Sequence, residues 1–495
     1  MIEQQQSSYR QIMKATSIFG GVQVFTIIIS IVRSKIIAVL LGPAGIGINS
    51  LLQSTGGFIG GLTNFGLGTS AVKNVAAAHS TGDDYKVASV VSVLRRLVWL
   101  TGLLGSILMI VLSPLLSQLT FGNKDYTLAF IWISVTLLLN QLSTGQSVVL
   151  RGLRKINYLA RSSLSGSVIG LIVSVPFYYK WGVDGIVPAI ILTSIANLLR
   201  TWYFASKVKI RSIPISQKEI LVEGKDMLTM GFMLSISGVY VLAKNYGIRA
   251  YVSNVGGVEE VGLYSAGFAI VNTYVGMVFT AMSTDYYPRL SAVAHNNLDA
   301  RKLVNQQAEV AILILAPIIA FFIVFIGWIV VLLYSNKFLP INEMIQWAAF
   351  GMIFKAASWS NAFLFLAKGR SKLFLANELI GGTITLICNV LGYYLGGLTG
   401  MGIGFLFGYF IYMIQVYFVT RHYFEFSFEK QFMVIMTIQL FLAVIAFSIV
   451  LFLPKPLSYL VAIPIIILSS IYSYKELDKR IDIKQILLKV INRRK

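Results

Sequence analysis

Acidic side chains are scarce in this chain of 495 residues, where 20 Asp and Glu stand against 41 Lys and Arg. Charge of either sign is scarce too, at 12% of the sequence, about half the share of an ordinary soluble domain. That deficit, with 56% hydrophobic residues, excludes a soluble globular protein. The basic excess sits in short loops and a tail, with no soluble domain to present it, so nucleic acid is excluded as a partner. The single cysteine, Cys388, lies in an apolar run and excludes an internal disulfide. It reads as a small buried apolar residue. Only three histidines occur, and His79, His295 and His422 fall on different loops without metal or triad spacing. The glycine-rich stretches Leu41-Gly-Pro-Ala-Gly-Ile-Gly47 and Gly66-Leu-Gly68 lack the Gly-Lys-Ser/Thr and the preceding strand of a phosphate loop. Gly66 and Gly68 read instead as sites of close helix packing. The outward loops are short and leave no room for an external catalytic domain. The chain is expected to be no enzyme and to need no cofactor or metal.

What is present is a series of long apolar runs. A membrane span needs about 20 mostly apolar residues, and fourteen such runs are expected. They lie near 17–41, 46–72, 89–113, 126–150, 159–179, 185–206, 227–251, 260–288, 308–335, 342–367, 374–396, 400–420, 432–453 and 456–474. The first run is too long for the apolar core of a cleaved signal and is expected to be a retained span. The fold class is therefore all-α, a polytopic membrane protein with about 14 transmembrane helices.

Charge fixes the expected orientation. Thirty-two of the 41 Lys and Arg residues fall at the termini and in every second gap between runs, while the intervening gaps hold Lys124, Lys180, Arg249, Lys337 and Lys455. Cytoplasmic loops collect Lys and Arg, so both termini are expected in the cytoplasm. The tail places Ile483, Ile486, Leu487, Val490 and Ile491 at helical spacing among eight cations, the pattern of an amphipathic helix on the inner leaflet.

The chain also carries an internal repeat. Tyr178-Tyr179 followed by Gly182 and Gly185 recurs 215 residues later as Tyr393-Tyr394 followed by Gly397 and Gly400. Lys35 with Gly42 recurs at offset 214 as Arg249 with Gly256. The loop Arg151-Gly152-Leu-Arg154-Lys155 recurs, one residue shorter, as Lys368-Gly369-Arg370-Ser-Lys372. A repeat of six spans keeps its orientation, which predicts two six-helix lobes related by a pseudo-twofold axis along the membrane normal. Parallel repeats of this kind are a transporter architecture with the site between lobes. The expected divisions are an N-lobe at 1–211, a cytoplasmic linker at 212–226, a C-lobe at 227–421, two additional helices at 422–474 and the basic tail at 475–495.

Four cations interrupt the apolar runs: Arg33, Lys35, Lys244 and Lys355, with Arg249 near the end of one. Intramembrane charge is expensive and marks function by default. Arg33 stands ten residues before Pro43, roughly 15 Å down its helix, and Lys35 roughly 12 Å. Lys244 stands twelve residues before Gly256, roughly 18 Å. Snorkelling toward headgroups is the competing reading, and it weighs most for Arg249. Phosphate or pyrophosphate is the anion such groups suit, Arg as a bidentate fork and Lys as a point charge. Asn49, Gln53, Asn140, Gln141 and Gln146 could line the same path and meet sugar hydroxyls, or serve as hydrogen-bonded glue between helices. Carboxylates are nearly absent from the runs. Asp285 and Glu378 come closest and are the candidates for ion coupling, although Asp285 has Arg289 at i+4 for an interfacial ion pair.

Several stretches carry a resemblance: Lys35-Ile-Ile-Ala-Val-Leu-Leu-Gly-Pro-Ala-Gly-Ile-Gly47, Leu119-Thr-Phe-Gly-Asn-Lys-Asp-Tyr126, Tyr287-Pro-Arg-Leu-Ser291, Ser335-Asn-Lys-Phe338 and Phe350-Gly-Met-Ile-Phe-Lys355. Over about residues 10–421 the chain resembles the Wzx-type O-antigen and polysaccharide flippases of the multidrug/oligosaccharidyl-lipid/polysaccharide exporter superfamily. The resemblance implies movement of undecaprenyl-pyrophosphate-linked oligosaccharide across the bacterial cytoplasmic membrane, with basic cavity residues meeting the pyrophosphate. It matches Lys355 to a family lysine in the tenth span and implies membrane lipids and glycan polymerases as partners. The chain departs from twelve-span members by adding residues 422–495. The rival reading is a cation-coupled multidrug exporter of the same superfamily, which would want buried carboxylates. A glycan polymerase or ligase would want a large outward loop.

Overall fold

The computed structural model describes residues 2–481 other than 209, 212, 215 and 216. The tail positions 482–495, including the apolar stripe from Ile483 to Ile491, lie outside the described residues. Among those described there is no strand. The helices are α1 (Ile2–Thr63), α2 (Leu67–Ser80), α3 (Asp84–Phe121), α4 (Thr127–Gly152), α5 (Ile156–Trp181), α6 (Ile186–Ser206) and α7 (Gln217–Ala269). They continue as α8 (Met277–Val293), α9 (Asn297–Leu333), α10 (Asn342–Ala367), α11 (Ser371–Phe424), α12 (Lys430–Phe452) and α13 (Leu457–Ile481). A π-helical stretch, Ile270–Val275, joins α7 to α8.

Ten segments among the described residues are long and apolar enough to cross a membrane. Four of them hold two arms each, giving fourteen. All four turn on glycine, the segment 156–206 at Gly182 with φ 53°. Gly42 has φ 65° and ψ −171° inside α1, and Gly257 has φ 86° and ψ 172° inside α7. Gly397 in α11 has φ 55°. L side chains rarely adopt such angles. At the first bend Pro43 follows, and its fixed φ suits the first position of the new helix. One expected span is broken: the run at 46–72 ends at Thr63, and α2 restarts at Leu67 after Gly66 takes φ 65°. A Cβ on Gly66 would collide with the backbone of Gly231, so this glycine serves both turn and close packing.

Two compact units divide the chain. The first, Met1–Gly262 with Leu333–Ser335, has a core where Leu67, Val75, Leu94, Leu97, Val148 and Val149 bring α2, α3 and α4 together. Asp83 caps α3 by accepting from the Tyr85 and Lys86 amides. The other face of α3 presents Trp99, Leu103, Ile107 and Val111 outward, each about half exposed or more. That apolar stripe suits lipid rather than water. The second unit, Leu263–Leu332 with Asn336–Lys495, packs Tyr286, Leu290, Val304, Phe365, Val416 and Phe426. Buried Gln439 joins α12 to α13 by bonding Ser473 Oγ and accepting from Ser469 Oγ.

The repeat holds at one offset, 215, and is written in backbone geometry. Helix α4 (127–152) maps onto α10 (342–367), and the start of α5 at Ile156 maps onto the start of α11 at Ser371. Gly182 and Gly397 share positive φ, 53° and 55°. A Cβ on Gly185 would meet the Phe177 carbonyl, and one on Gly400 the Gly392 carbonyl. Two expected registers are corrected. The bend equivalent to Gly42 is Gly257, not Gly256, so Lys35 corresponds to Ala250 rather than Arg249. In the loop after α4 the left-handed residue is Arg154 (φ 53°), and in its counterpart after α10 it is Gly369 (φ 70°). No residue is lost there. Gly152 is simply not the counterpart of Gly369.

Candidate functional site

Two adjoining polar cavities open in the first unit. One, of about 400 Å³, is lined by Gln53, Asn64, Thr136, Asn140, Gln141 and Thr144 beside a run of glycines at 56, 57, 60 and 61. The other, of about 320 Å³, is lined by Ser163, Ser167, Thr193, Asn197 and Arg200 around Gly166 and Gly170. Arg33, Asn140, Thr193 and Ser194 belong to both walls and mark where the two meet. Neither cavity has a carboxylate in its wall among the described residues.

Helical spacing on α1, α4, α5 and α6 assembles this lining. Arg33 lies against the flat surface left by Gly170, whose Cβ would stand 3.8 Å from its guanidinium. Its Nε is buried and finds no hydrogen-bond partner. Arg200 donates to the Ser162 carbonyl and to Asn197 Oδ1. A Cβ on Gly166 would overlap its guanidinium, so that glycine makes room for the arginine. The Arg200 Nε is likewise buried without a partner. Each unpaired buried N–H of a charged group costs on the order of 1–3 kcal/mol or more. An anion would satisfy them.

The other expected residues divide. Asn140 is exposed in the cavity, whereas Gln141 is buried and donates to Thr101 Oγ1 at 2.9 Å, as helix glue. Gln53 lines the larger cavity and donates to Asn49 Oδ1 at 2.8 Å, so Asn49 stands behind it. Gln146 lines neither cavity, nor do Lys35, Lys244 and Arg249. Arg249 donates to Ser50 Oγ at 2.8 Å and to the Asn245 carbonyl at 3.0 Å, which ties it to the second arm of α1.

In the second unit, Lys355 Nζ lies 3.4 Å from Asn272 Oδ1 and faces the rings of Tyr409 (5.2 Å) and Phe279 (5.8 Å). Rings attract a cation but do not neutralise it. Asp285 pairs with Arg289 at 3.1 Å with both side chains more than half exposed, the i, i+4 pair its spacing predicts. Glu378 accepts from the Tyr412 hydroxyl, and Gln415 donates to the Asn377 side chain at 3.0 Å. The sequence reading passed over Arg200, Asn197, Tyr412 and Gln415. A signal exists for the first: Arg200 lies inside the apolar run 185–206 with Asn197 at i−3, although the basic loop that follows makes it resemble a loop charge.

Fourteen apolar arms, with charged and polar side chains lining cavities in the first unit, define a multi-pass membrane protein. Residues 12–294 match the family described as polysaccharide biosynthesis protein, and the chain belongs to that family. An O-antigen transporter of Shigella flexneri is 22% identical over 341 residues, covering 67% of this chain and 79% of its own length. The lipid III flippase of Escherichia coli (strain K12) is 21% identical over 364 residues, covering 71% and 84%. Among solved structures, the lipid II flippase MurJ in an inward closed conformation superposes with TM-score 0.66 at 14% identity, covering 94% of this chain and 99% of MurJ. The fold is thus the two-lobe helical fold of such transporters. The relatives are transporters and flippases rather than enzymes, and the chain is a multi-pass protein of the bacterial inner membrane.

Proposed function

We propose that this protein flips undecaprenyl-pyrophosphate-linked oligosaccharide from the cytoplasmic to the periplasmic leaflet by alternating access. The observation that carries the reading is the pair of joined cavities, cationic at Arg33 and Arg200, with amides and hydroxyls among the glycines and apolar side chains of their walls. Pyrophosphate is the most highly charged part of such a lipid and would seek the arginines. Sugar hydroxyls would exchange water for Gln53, Asn140, Thr136 and Thr144. The polyprenyl chain has no reason to leave the bilayer and would stay in lipid beside the moving headgroup.

The two repeats, near 1–211 and 227–421, are the halves expected to swing, and Lys355 is the second half's contribution to anion binding. Lys35, Lys244 and Arg249 would add positive potential along the route. The charge alternation supports both termini in the cytoplasm. Glycan polymerases are the expected partners downstream, because a delivered repeat unit must be consumed outside. A multidrug exporter fits less well, since organic cations need carboxylates and neither cavity wall has one.

The test is mass spectrometry of lipid extracts from a strain depleted of the protein. Undecaprenyl-pyrophosphate oligosaccharide should accumulate, and wild-type protein should clear it. In a strain shown to make the intermediate and to lack a second translocase, absence of accumulation overturns the reading.

A further inference from the structure

The smaller cavity has a counterpart in the second half, and the two differ in charge. At offset 215, Arg33 corresponds to Ile248, Asn140 to Lys355, Ser163 to Glu378, Asn197 to Tyr412 and Arg200 to Gln415. The correspondence extends to bonding. Arg200 donates to the Ser162 carbonyl, and Gln415 donates to the Asn377 carbonyl, the equivalent backbone oxygen, at 3.1 Å. The close approach also recurs with its partners exchanged: Gly170 faces Thr193, and Thr385 faces Gly408.

This comparison separates two roles of Arg200. Stapling α6 to the α5 backbone needs only a neutral amide, as Gln415 demonstrates. The positive charge is surplus to that task. It stands with a second arginine, in a polar cavity, with no carboxylate in the wall. Both Nε groups are buried and unsatisfied. In the second half the equivalent positions carry one cation, Lys355, and one carboxylate, Glu378, so their formal charges cancel.

We propose that the cavity between Arg33 and Arg200 is where the substrate's pyrophosphate is first seated, with Arg200 as a ligand of one phosphoryl group. Asn140 offers its amide to the same anion. The second half, neutral at the equivalent place, releases what the first half holds. The proposal rests on the flippase reading above. Arg200 lies six residues before the end of α6, about 9 Å from it, at the end that the charge pattern assigns to the cytoplasm. The anion would therefore be captured near the leaflet it leaves.

The experiment measures binding of inorganic pyrophosphate and of undecaprenyl pyrophosphate to the full-length protein in phosphatidylcholine nanodiscs. Arg200→Gln copies the natural twin, so it keeps the staple and removes the charge. Asn140→Asp places a carboxylate in the wall at nearly constant shape. Each should weaken both ligands at least about tenfold, a loss of about 1.4 kcal/mol. Gln415→Ala should leave affinity unchanged. Unchanged affinity in both cavity variants overturns the assignment, and if Arg200→Gln fails to fold, Asn140→Asp decides. Loss of pyrophosphate binding in phosphatidylglycerol nanodiscs would show a site for bulk anionic lipid and also overturn it. In each of these cases the depletion strain still accumulates the lipid-linked glycan if the flippase reading is correct, so the two failures are distinguishable.

Discussion

Gly47 and Gly262, 215 residues apart, meet through their backbones. A Cβ on Gly47 would stand 1.9 Å from the Val258 carbonyl oxygen, and one on Gly262 would stand 1.8 Å from the Pro43 carbonyl oxygen. Val258 is itself the equivalent of Pro43. Each residue of one copy thus meets the counterpart of its own partner, as residues around a twofold axis do. Relieving either collision would require the helices themselves to shift, because the colliding atoms are backbone.

Gly47→Ala is expected to destabilise the protein by about 1–3 kcal/mol, the usual cost of overpacking, and Gly262→Ala by a similar amount. Gly60→Ala is the control, since no atom lies within 4 Å of its Cβ position. Thermal unfolding of the purified chain in detergent checks all three. Equal melting temperatures for Gly47→Ala and Gly60→Ala would remove the close approach as a structural constraint.

Lys355 should be needed for its charge rather than its bulk. Its ammonium has two aromatic rings and an amide for company and no carboxylate among its described contacts. Lys355→Ala, at wild-type expression, is expected to leave the lipid-linked glycan accumulated, and Lys355→Arg to restore much of the clearance. Full clearance by the alanine variant would remove this lysine from the substrate path.

Much of the architecture was legible because lipid imposes it. Each apolar run had to be helical, and the breaks at 41–46, 251–260 and 396–400 bracket the bends at Gly42, Gly257 and Gly397. The repeat was legible where glycine recurs with its conformation, at Gly182 and Gly397. It was misread where conformation recurs without glycine, at Arg154. The anion cavity was only half legible. Arg33 stood out against an apolar run, whereas Arg200 stood close enough to a helix end to pass for an anchor. The kinship of Asn140 with Lys355, or of Arg200 with Gln415, is not visible in residue type at all. It follows only when the 215-residue register read at Tyr178-Tyr179 and Tyr393-Tyr394 is carried along the backbone to these helices.

Glu378 is the carboxylate proposed for ion coupling. Tyr412 donates to it, the Tyr412 ring meets Tyr409 edge-on at 6.3 Å, and Tyr409 lies under Lys355. Loss of the charge on Glu378 would therefore change the field felt by the proposed second-half anion site. Clearance by wild-type protein is expected to depend on the transmembrane pH gradient, and clearance by Glu378→Gln to be slower and insensitive to it. Tyr412→Phe should retain the dependence. An unchanged response in Glu378→Gln would end the case for this residue.

The two added helices are fastened by charge as well as by apolar contact. Arg480 at the end of α13 donates to Glu309 on α9 at 2.8 Å and to Glu476 at 2.7 Å, with the Glu309 side chain only 5% exposed. Breaking a buried pair by deleting one partner typically costs about 3–5 kcal/mol, because the survivor is left charged in low dielectric, while replacing both can be nearly neutral. Arg480→Met should therefore lower the melting temperature of the full chain more than Arg480→Met with Glu309→Leu. Two carboxylates face this arginine, so the double variant recovers only part of the loss, and adding Glu476→Gln should recover more. If the single and double variants melt alike, Glu309 contributes nothing to holding α13, and the apolar face with the buried Gln439 contacts must hold it instead.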